Sequence, residues 1–360
     1  MPRITLYCCV PLVSAAIAGF ACSEPPSAPA SKASSASRKR GIVSARELNK
    51  ILDLRELPAP KDALFYDRSP AEVNAESPLD IKQAGDFYRR ALAEKGYQPS
   101  TEPDPKTGGS KTITTVFSKE GYTVSLSLYP ASDGTAWISV CRCGNFDTRA
   151  LPQSTRAKDI QATSMSLSYL SENSVAEEYA FVRQALAKAG CQEFTPMLSI
   201  NIKGPEFHTF HVRNRGYMLS VFVNIVPAEP SNTEVRYELR TLWQELPAPA
   251  VAKKIEYDDG SSLLRCWVPE KIDVVEKFYL QAMPDLGYKP LQHDAPQKDC
   301  RVLRFETEEK GVLLVSLNSD EARALFVEVR YYSPDEFDEM PPVELGEEEE
   351  EVAEIVEEGN

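Results

Sequence analysis

The chain has 360 residues, 42% of them hydrophobic and 26% charged, an ordinary soluble composition whose length suits about two or three domains. Forty Lys and Arg against 54 Asp and Glu leave a net charge of −14, which argues against the clustered basic surface that nucleic-acid phosphates require. Nine of the acids crowd into Glu344–Glu358, so the body is mildly acidic and the C-terminal run strongly so.

At the N-terminus, Arg3 heads an apolar stretch from Ile4 to Ala18, interrupted only by Pro11. Gly19-Phe20-Ala21 then places small residues at −3 and −1 of a cleavage site, so residues 1–21 read as a secretory signal. Cys22 follows at once. The segment resembles the lipobox of bacterial lipoproteins, in which that cysteine is acylated and becomes the new N-terminus. Gly19 and Phe20 stand where a lipobox carries an aliphatic and a small residue. Ordinary signal cleavage and an uncleaved anchor of about 18 apolar residues therefore stay open beside it. The resemblance implies lipidation of Cys22, membrane attachment through that lipid, and a place in the cell envelope or periplasm. Simple cleavage implies a soluble secreted protein.

Residues 22–57 read as a spacer. Ser23 to Arg40 is rich in Ser, Ala and Pro and too poor in large apolar groups to fold, and Leu48, Ile51 and Leu52 then mark a short amphipathic helix. From there the chain repeats itself. Phe87-Tyr88-Arg89-Arg90-Ala91-Leu92 returns as Phe181-Val182-Arg183-Gln184-Ala185-Leu186 and as Phe278-Tyr279-Leu280-Gln281-Ala282-Met283. Gly121, Gly216 and Gly311 recur at intervals of 95 and 95, and Pro58, Pro152, Pro247 and Pro342 at 94, 95 and 95. Three landmarks sharing one period predict three tandem modules, at 58–151, 152–246 and 247–342, with a disordered acidic tail at 343–360.

In each module, apolar residues at helical spacing predict one amphipathic helix. Asp80 with Gln83 and Ser174 with Glu177 form capping boxes, and Gly96, Gly190 and Gly287 close the helices. Pro284 predicts an early stop or a kink in the third helix. Beyond each helix the period falls to two, as in Tyr122–Leu128, Met218–Val223 and Val312–Leu317. The fold class expected is α+β: three ββαβββ-like modules, each an antiparallel sheet packed on one helix.

No catalytic, cofactor or metal motif emerges. His208 and His211 lie three apart on a predicted strand, so they face opposite ways, and His293 lies in a polar loop. Gly108-Gly109-Ser110-Lys111 lacks the spacing of a phosphate loop, and Asp258-Asp259-Gly260 reads as a turn. Cys141 and Cys143, two apart on a strand, are expected to point the same way as small apolar side chains. Once Cys8 and Cys9 leave with the signal and Cys22 is lipidated, Cys191, Cys266 and Cys300 complete an odd set of five, and Cys266 with Cys300, on strands expected to be neighbours, predicts a disulfide. Trp137, Trp243, Trp267, Tyr331 and Tyr332 are expected in the core or between modules, with a partner site built on such rings as the alternative. The function that follows is a non-enzymatic, exported tandem-repeat protein, needing no cofactor, that binds a protein or an envelope polymer and no nucleic acid. The alternatives are a structural or assembly factor of the envelope, pairing along sheet edges, and a hydrolase with a site between modules.

Overall fold

A computed structural model describes residues 42–100, 112–131, 134–197, 204, 206–291, 299–319 and 324–338. The export signal, Cys22, the Gly108–Lys111 stretch, His293, Pro342 and the acidic tail lie outside them. The fold is mixed α+β and mostly antiparallel sheet, and it divides into two compact units. Among the described residues no helix is long and apolar enough to cross a membrane.

The first unit holds the chain up to Leu246 together with Lys254–Gly260. It opens with α1 (Ala45–Ile51), where Ser44 and Glu47 cap each other and satisfy the free N–H groups of the first turn. Leu48 and Leu52 are buried and Ile51 is exposed, so the helix uses a narrower apolar stripe than its sequence offers. The segment fastens to strands farther along: Gly216 N donates to the Val43 carbonyl and Arg215 Nη1 to that of Ile42.

Next come β1 (Leu64–Arg68), β2 (Glu72–Ser77), α2 (Ile81–Glu94), β3 (Gln98–Pro99), β4 (Ile113–Lys119), β5 (Tyr122–Pro130) and β6 (Ala136–Gly144). They form a sheet in the order β1-β2-β6-β5-β4-β3. Alternation sends Val124, Leu126, Leu128, Ile138 and Val140 to one face, where Ala84, Tyr88 and Leu92 of α2 cover them. Gly96 closes the helix at φ 85°, the left-handed conformation glycine accepts without a Cβ clash.

The order then recurs: β7 (Lys158–Ala162), β8 (Ser166–Ser171), α3 (Val175–Lys188), β9 (Gln192–Pro196), β10 (Phe207–Asn214), β11 (Tyr217–Val226) and β12 (Glu229–Thr241). Their sheet order is β7-β8-β12-β11-β10-β9, with Val182 and Leu186 of α3 on its apolar face. β13 (Lys253–Asp258), which belongs to this unit from its second residue, runs parallel to β9 through Glu256 opposite Thr195 and Tyr257 opposite Pro196.

The second unit holds Pro247–Lys253 and the chain from Ser261. Its elements are β14 (Leu263–Val268), α4 (Ile272–Asp285), β15 (Lys289–Pro290), β16 (Cys300–Glu306), β17 (Val312–Ser319), β18 (Leu325–Tyr332) and a short α5 (Pro334–Asp338), with strand order β14-β18-β17-β16-β15. Helix α4 runs its full 14 residues through Pro284, so of the early stop or kink expected there the early stop is not seen. The proline lies one residue from the helix end, where a missing N–H leaves little helix to disrupt.

Two sequence expectations are corrected here. Four strands follow each helix, not three: β3, β9 and β15, of two to five residues, are too short to show a period. The predicted Cys266–Cys300 disulfide is absent, and both residues remain thiols. Cys266 lies on β14 and Cys300 on β16, and β18 and β17 stand between them. Three inter-strand steps separate them by roughly 14 Å, and a disulfide needs Cα atoms within about 7 Å.

Candidate functional site

In the first unit, β6 and β12 meet at a buried polar joint. Arg142 on β6, only 4% exposed, donates through Nη1 to Asn49 Oδ1 at 2.8 Å and the Leu52 carbonyl at 3.0 Å. Its Nη2 donates to the Leu242 carbonyl at 3.0 Å and its Nε to Thr241 Oγ1 at 3.3 Å. Burial lowers its pKa to about 10, with Asp53 and Asp259 opposing, so the guanidinium stays charged at neutral pH. Thr241 Oγ1 donates back to the Arg142 carbonyl at 2.8 Å.

Acids gather around the joint. Glu72 of β2 lies 4.0 Å from Arg240 of β12, and burial, which would lower the Arg240 pKa, is outweighed by the charges of Glu72 and Glu238, which raise it. Asp259, just past β13, accepts from the Tyr257 hydroxyl at 2.7 Å, while Trp243 Nε1 donates to its carbonyl oxygen at 2.5 Å. Burial raises the Asp259 carboxyl to about 7, with Tyr257 and Trp243 opposing through hydrogen bonds. The Asp258-Asp259-Gly260 turn is thus also the acidic wall of a charged cluster. Nothing in its sequence signals this, because the burial comes from distant strands.

The joint lacks an activated nucleophile. Cys141 is pushed far above the ordinary thiol range by burial and then by Glu72, which suppresses the reactive thiolate. Cys143 is the unpaired residue of a bulge, since Thr123 faces Gly144 and Val124 faces Arg142. The simple alternation expected to aim both cysteines alike therefore breaks at that point.

The two described histidines do face opposite ways. His208 stacks on Tyr179 of α3 at 4.6 Å, on the helix side of the sheet. His211, on the other face, shares a 3.0 Å hydrogen bond between Nδ1 and Ser220 Oγ. Burial, then the Arg240 charge, lowers its pKa to about 4, so the imidazole is neutral at pH 7. Another buried acid, Glu178 of α3, accepts from Tyr169 at 3.0 Å, Ser171 at 2.6 Å and Asn173 at 2.7 Å, all from β8 or the turn that leads into the helix. Among the described residues no group of three His, Cys, Asp or Glu side chains is arranged to hold a metal ion. A cavity of about 250 Å³ beside α3, lined by Ile42, Leu151, Leu186, Cys191, Val212 and Tyr217, is almost wholly apolar.

The solvent face of the first sheet is different. Trp137 on β6 was expected in the core, yet it is 36% exposed and stacks on Tyr66, itself 55% exposed, with ring centroids 4.8 Å apart and planes 17° apart. The cause is register. Trp137 lies opposite Glu76 on β2 and Tyr129 on β5, on the face away from α2. A bulge between Phe65 and Asp67 puts Tyr66 out of register on β1, from where its hydroxyl donates to Glu76 Oε2 at 2.8 Å. Tyr129 and Leu64 extend the exposed stripe. Trp267 is half-buried against Phe326 of β18 at 5.3 Å, and Tyr331 and Tyr332 are half-buried at the end of that strand. Alternation within β6 could have shown that Trp137 shares a face with Ser139 and opposes Ile138 and Val140.

No protein-family model matches this chain, and neither a curated protein nor a solved structure is similar to it.

Proposed function

We propose that this chain is an exported, non-enzymatic binding protein, anchored through a lipid on Cys22 and built from three tandem copies of one α+β unit. The recurrence of two strands, a helix and four strands along the chain supports the triplication, as does the shared 95-residue spacing of Gly121, Gly216 and Gly311. One observation carries the binding reading: Tyr66 and Trp137 stack in solvent on a sheet face that no helix covers. Apolar rings left exposed and fixed by a neighbouring carboxylate suit an interface anchor. The protein or polymer partner of the envelope would dock there. A raised Cys141 thiol and a neutral His211 support a role in binding over one in catalysis.

Two measurements test it. Cys22→Ser should move the protein from the membrane fraction to the soluble fraction, and unchanged attachment would remove the lipid anchor. Full-length protein carrying Tyr66→Ala and Trp137→Ala should lose the envelope material that the unaltered chain retains on a column. Equal retention by the double variant would show that this face is not the docking site.

A further inference from the structure

We infer that the ligand of the exposed face of the first sheet is a neutral polysaccharide strand; this rests on the binding reading above and names its chemistry. The face is built in cross-strand rows. One row runs Glu76, Trp137, Tyr129, with Tyr66 reaching over from the bulge of β1. The next, two residues along each strand and roughly 7 Å away, runs Asn74, Ser139, Ser127, Thr114. All four residues of that second row are half-buried, so each is partly open to solvent.

The two rows supply different halves of sugar recognition. Ring faces pack against the apolar C–H surface of a pyranose, and the rings here are fixed in place: Tyr66 is held by Glu76 and Trp137 by its stack on Tyr66. Hydroxyl and amide groups both donate and accept, which matches the ring hydroxyls of a sugar. Thr114 Oγ1 and Ser127 Oγ share one hydrogen bond at 3.1 Å, and Asn74 Nδ2 donates to Glu72 Oε1 at 2.8 Å. Each hydroxyl oxygen has two lone pairs and the Asn74 amide keeps its carbonyl, so these bonds leave capacity for a ligand.

Charge selects among polymers. The two rows contain one ionisable acid, Glu76, and neither Lys nor Arg. An anionic strand or membrane surface would meet a carboxylate with no cation in either row, on a chain of net charge −14. A basic peptide could use Glu76 and the rings and pair its main chain with the uncharged row, but its several charges would meet a single carboxylate in the two rows. The hydroxyl-bearing neutral polymer uses both rows.

The test is sedimentation of the full-length protein with insoluble cellulose, chitin and starch granules, alongside poly-lysine beads, at low salt and at about 0.5 M salt. The expected result is retention on at least one polysaccharide at both salt concentrations. Trp137→Ala should weaken it about tenfold, the loss of one stacking surface, and Ser139→Ala should weaken it less. Trp137 is partly exposed, so unchanged thermal melting of the variant separates lost binding from lost folding. Retention on poly-lysine alone, abolished by salt, would overturn the polysaccharide assignment while leaving the docking face standing. No retention on any polysaccharide would overturn it as well. Polysaccharide retention that survives both Tyr66→Ala and Trp137→Ala would place the sugar elsewhere and remove the docking face itself.

Discussion

Asp259 and Glu245 are carboxyls held where water would normally surround them, and their titration should be visible in the stability of the first unit. Burial raises both to about 7, from ordinary values of 3.8 and 4.5. Around Asp259 stand Tyr257, Trp243, Asp258, Glu72, Arg142 and Arg240; around Glu245 stand Glu47, Arg213 and Arg215. A carboxyl whose folded pKa exceeds its unfolded one binds more protons when folded, so its contribution to stability falls as pH rises between those values. Other acids work the opposite way. Glu47, which accepts from the Ser44 backbone, and Asp53, where bonds from Arg55 outweigh burial, are held below their usual range and lose their contribution as pH falls. Asp67, raised by burial to about 6, adds to the decline, and His211, lowered to about 4, opposes it below about pH 6.5. Together these shifts predict a urea midpoint that is highest near about pH 5 and declines toward about pH 7. Asp259→Asn combined with Glu245→Gln should flatten the decline above pH 5. A profile that is level from about pH 5 to about pH 7 in the unaltered protein would contradict this account of both residues.

Recurring glycines look equivalent in the sequence and do different work in the elements they join. Gly121, in the turn from β4 to β5, has φ 85° and open space around it, so glycine is needed there for conformation alone. Gly216, between β10 and β11, lies against the entry to α1: an added Cβ would come within 2.6 Å of Ala45 N and 2.7 Å of Ser44 C. Backbone cannot yield as a side chain can. Gly216→Ala should therefore push α1 from its seat, break the Gly216 N to Val43 O bond, and cost about 2–3 kcal/mol; Gly121→Ala should cost about 1 kcal/mol. Denaturant unfolding of the two variants checks the order, and equal losses would show that α1 is not pinned by this contact.

Helices α2 and α3, their capping boxes and the long alternating strands were legible because each is written in local periodicity. The short strands β3, β9 and β15 were not, since two to five residues carry no period. Strand adjacency was also hidden. Cys266 and Cys300 seemed neighbours along the chain but are three strands apart in the sheet. The candidate site was legible only in outline. The outer face, with Trp137 beside Ser139, shows in the alternation of β5 and β6, while the stacking of Tyr66 on that ring and the burial of Asp259 depend on which strands pair.

At the scale of the whole chain, the 95-residue period and the packing disagree about one strand. The period assigns β13 to the third segment, yet from Lys254 it folds with the first unit. Tyr257 explains why. It is 1% exposed, meets Phe194 of β9 edge-on at 5.5 Å, and lies under the Arg213 guanidinium at 5.1 Å. Its hydroxyl donates to Asp259 at 2.7 Å and lies 3.2 Å from the Gln244 carbonyl. Arg213 is itself committed to the Leu246 carbonyl at 2.7 Å and Gln192 Oε1 at 2.9 Å, so β13 covers a charge that is already buried and bonded. A fragment ending at 246 would strip away that cover, leave the Phe194 ring and the edge of β9 open, and uncover Trp243. A fragment ending at 260 would keep them. Comparing residues 42–246 with 42–260 by urea unfolding should show the longer fragment more stable by about 3 kcal/mol or more, the scale of losing a buried aromatic with its packing. Matching midpoints would mean that β13 rests on the first unit without stabilising it, and that the period, not the packing, marks where the cooperative unit ends.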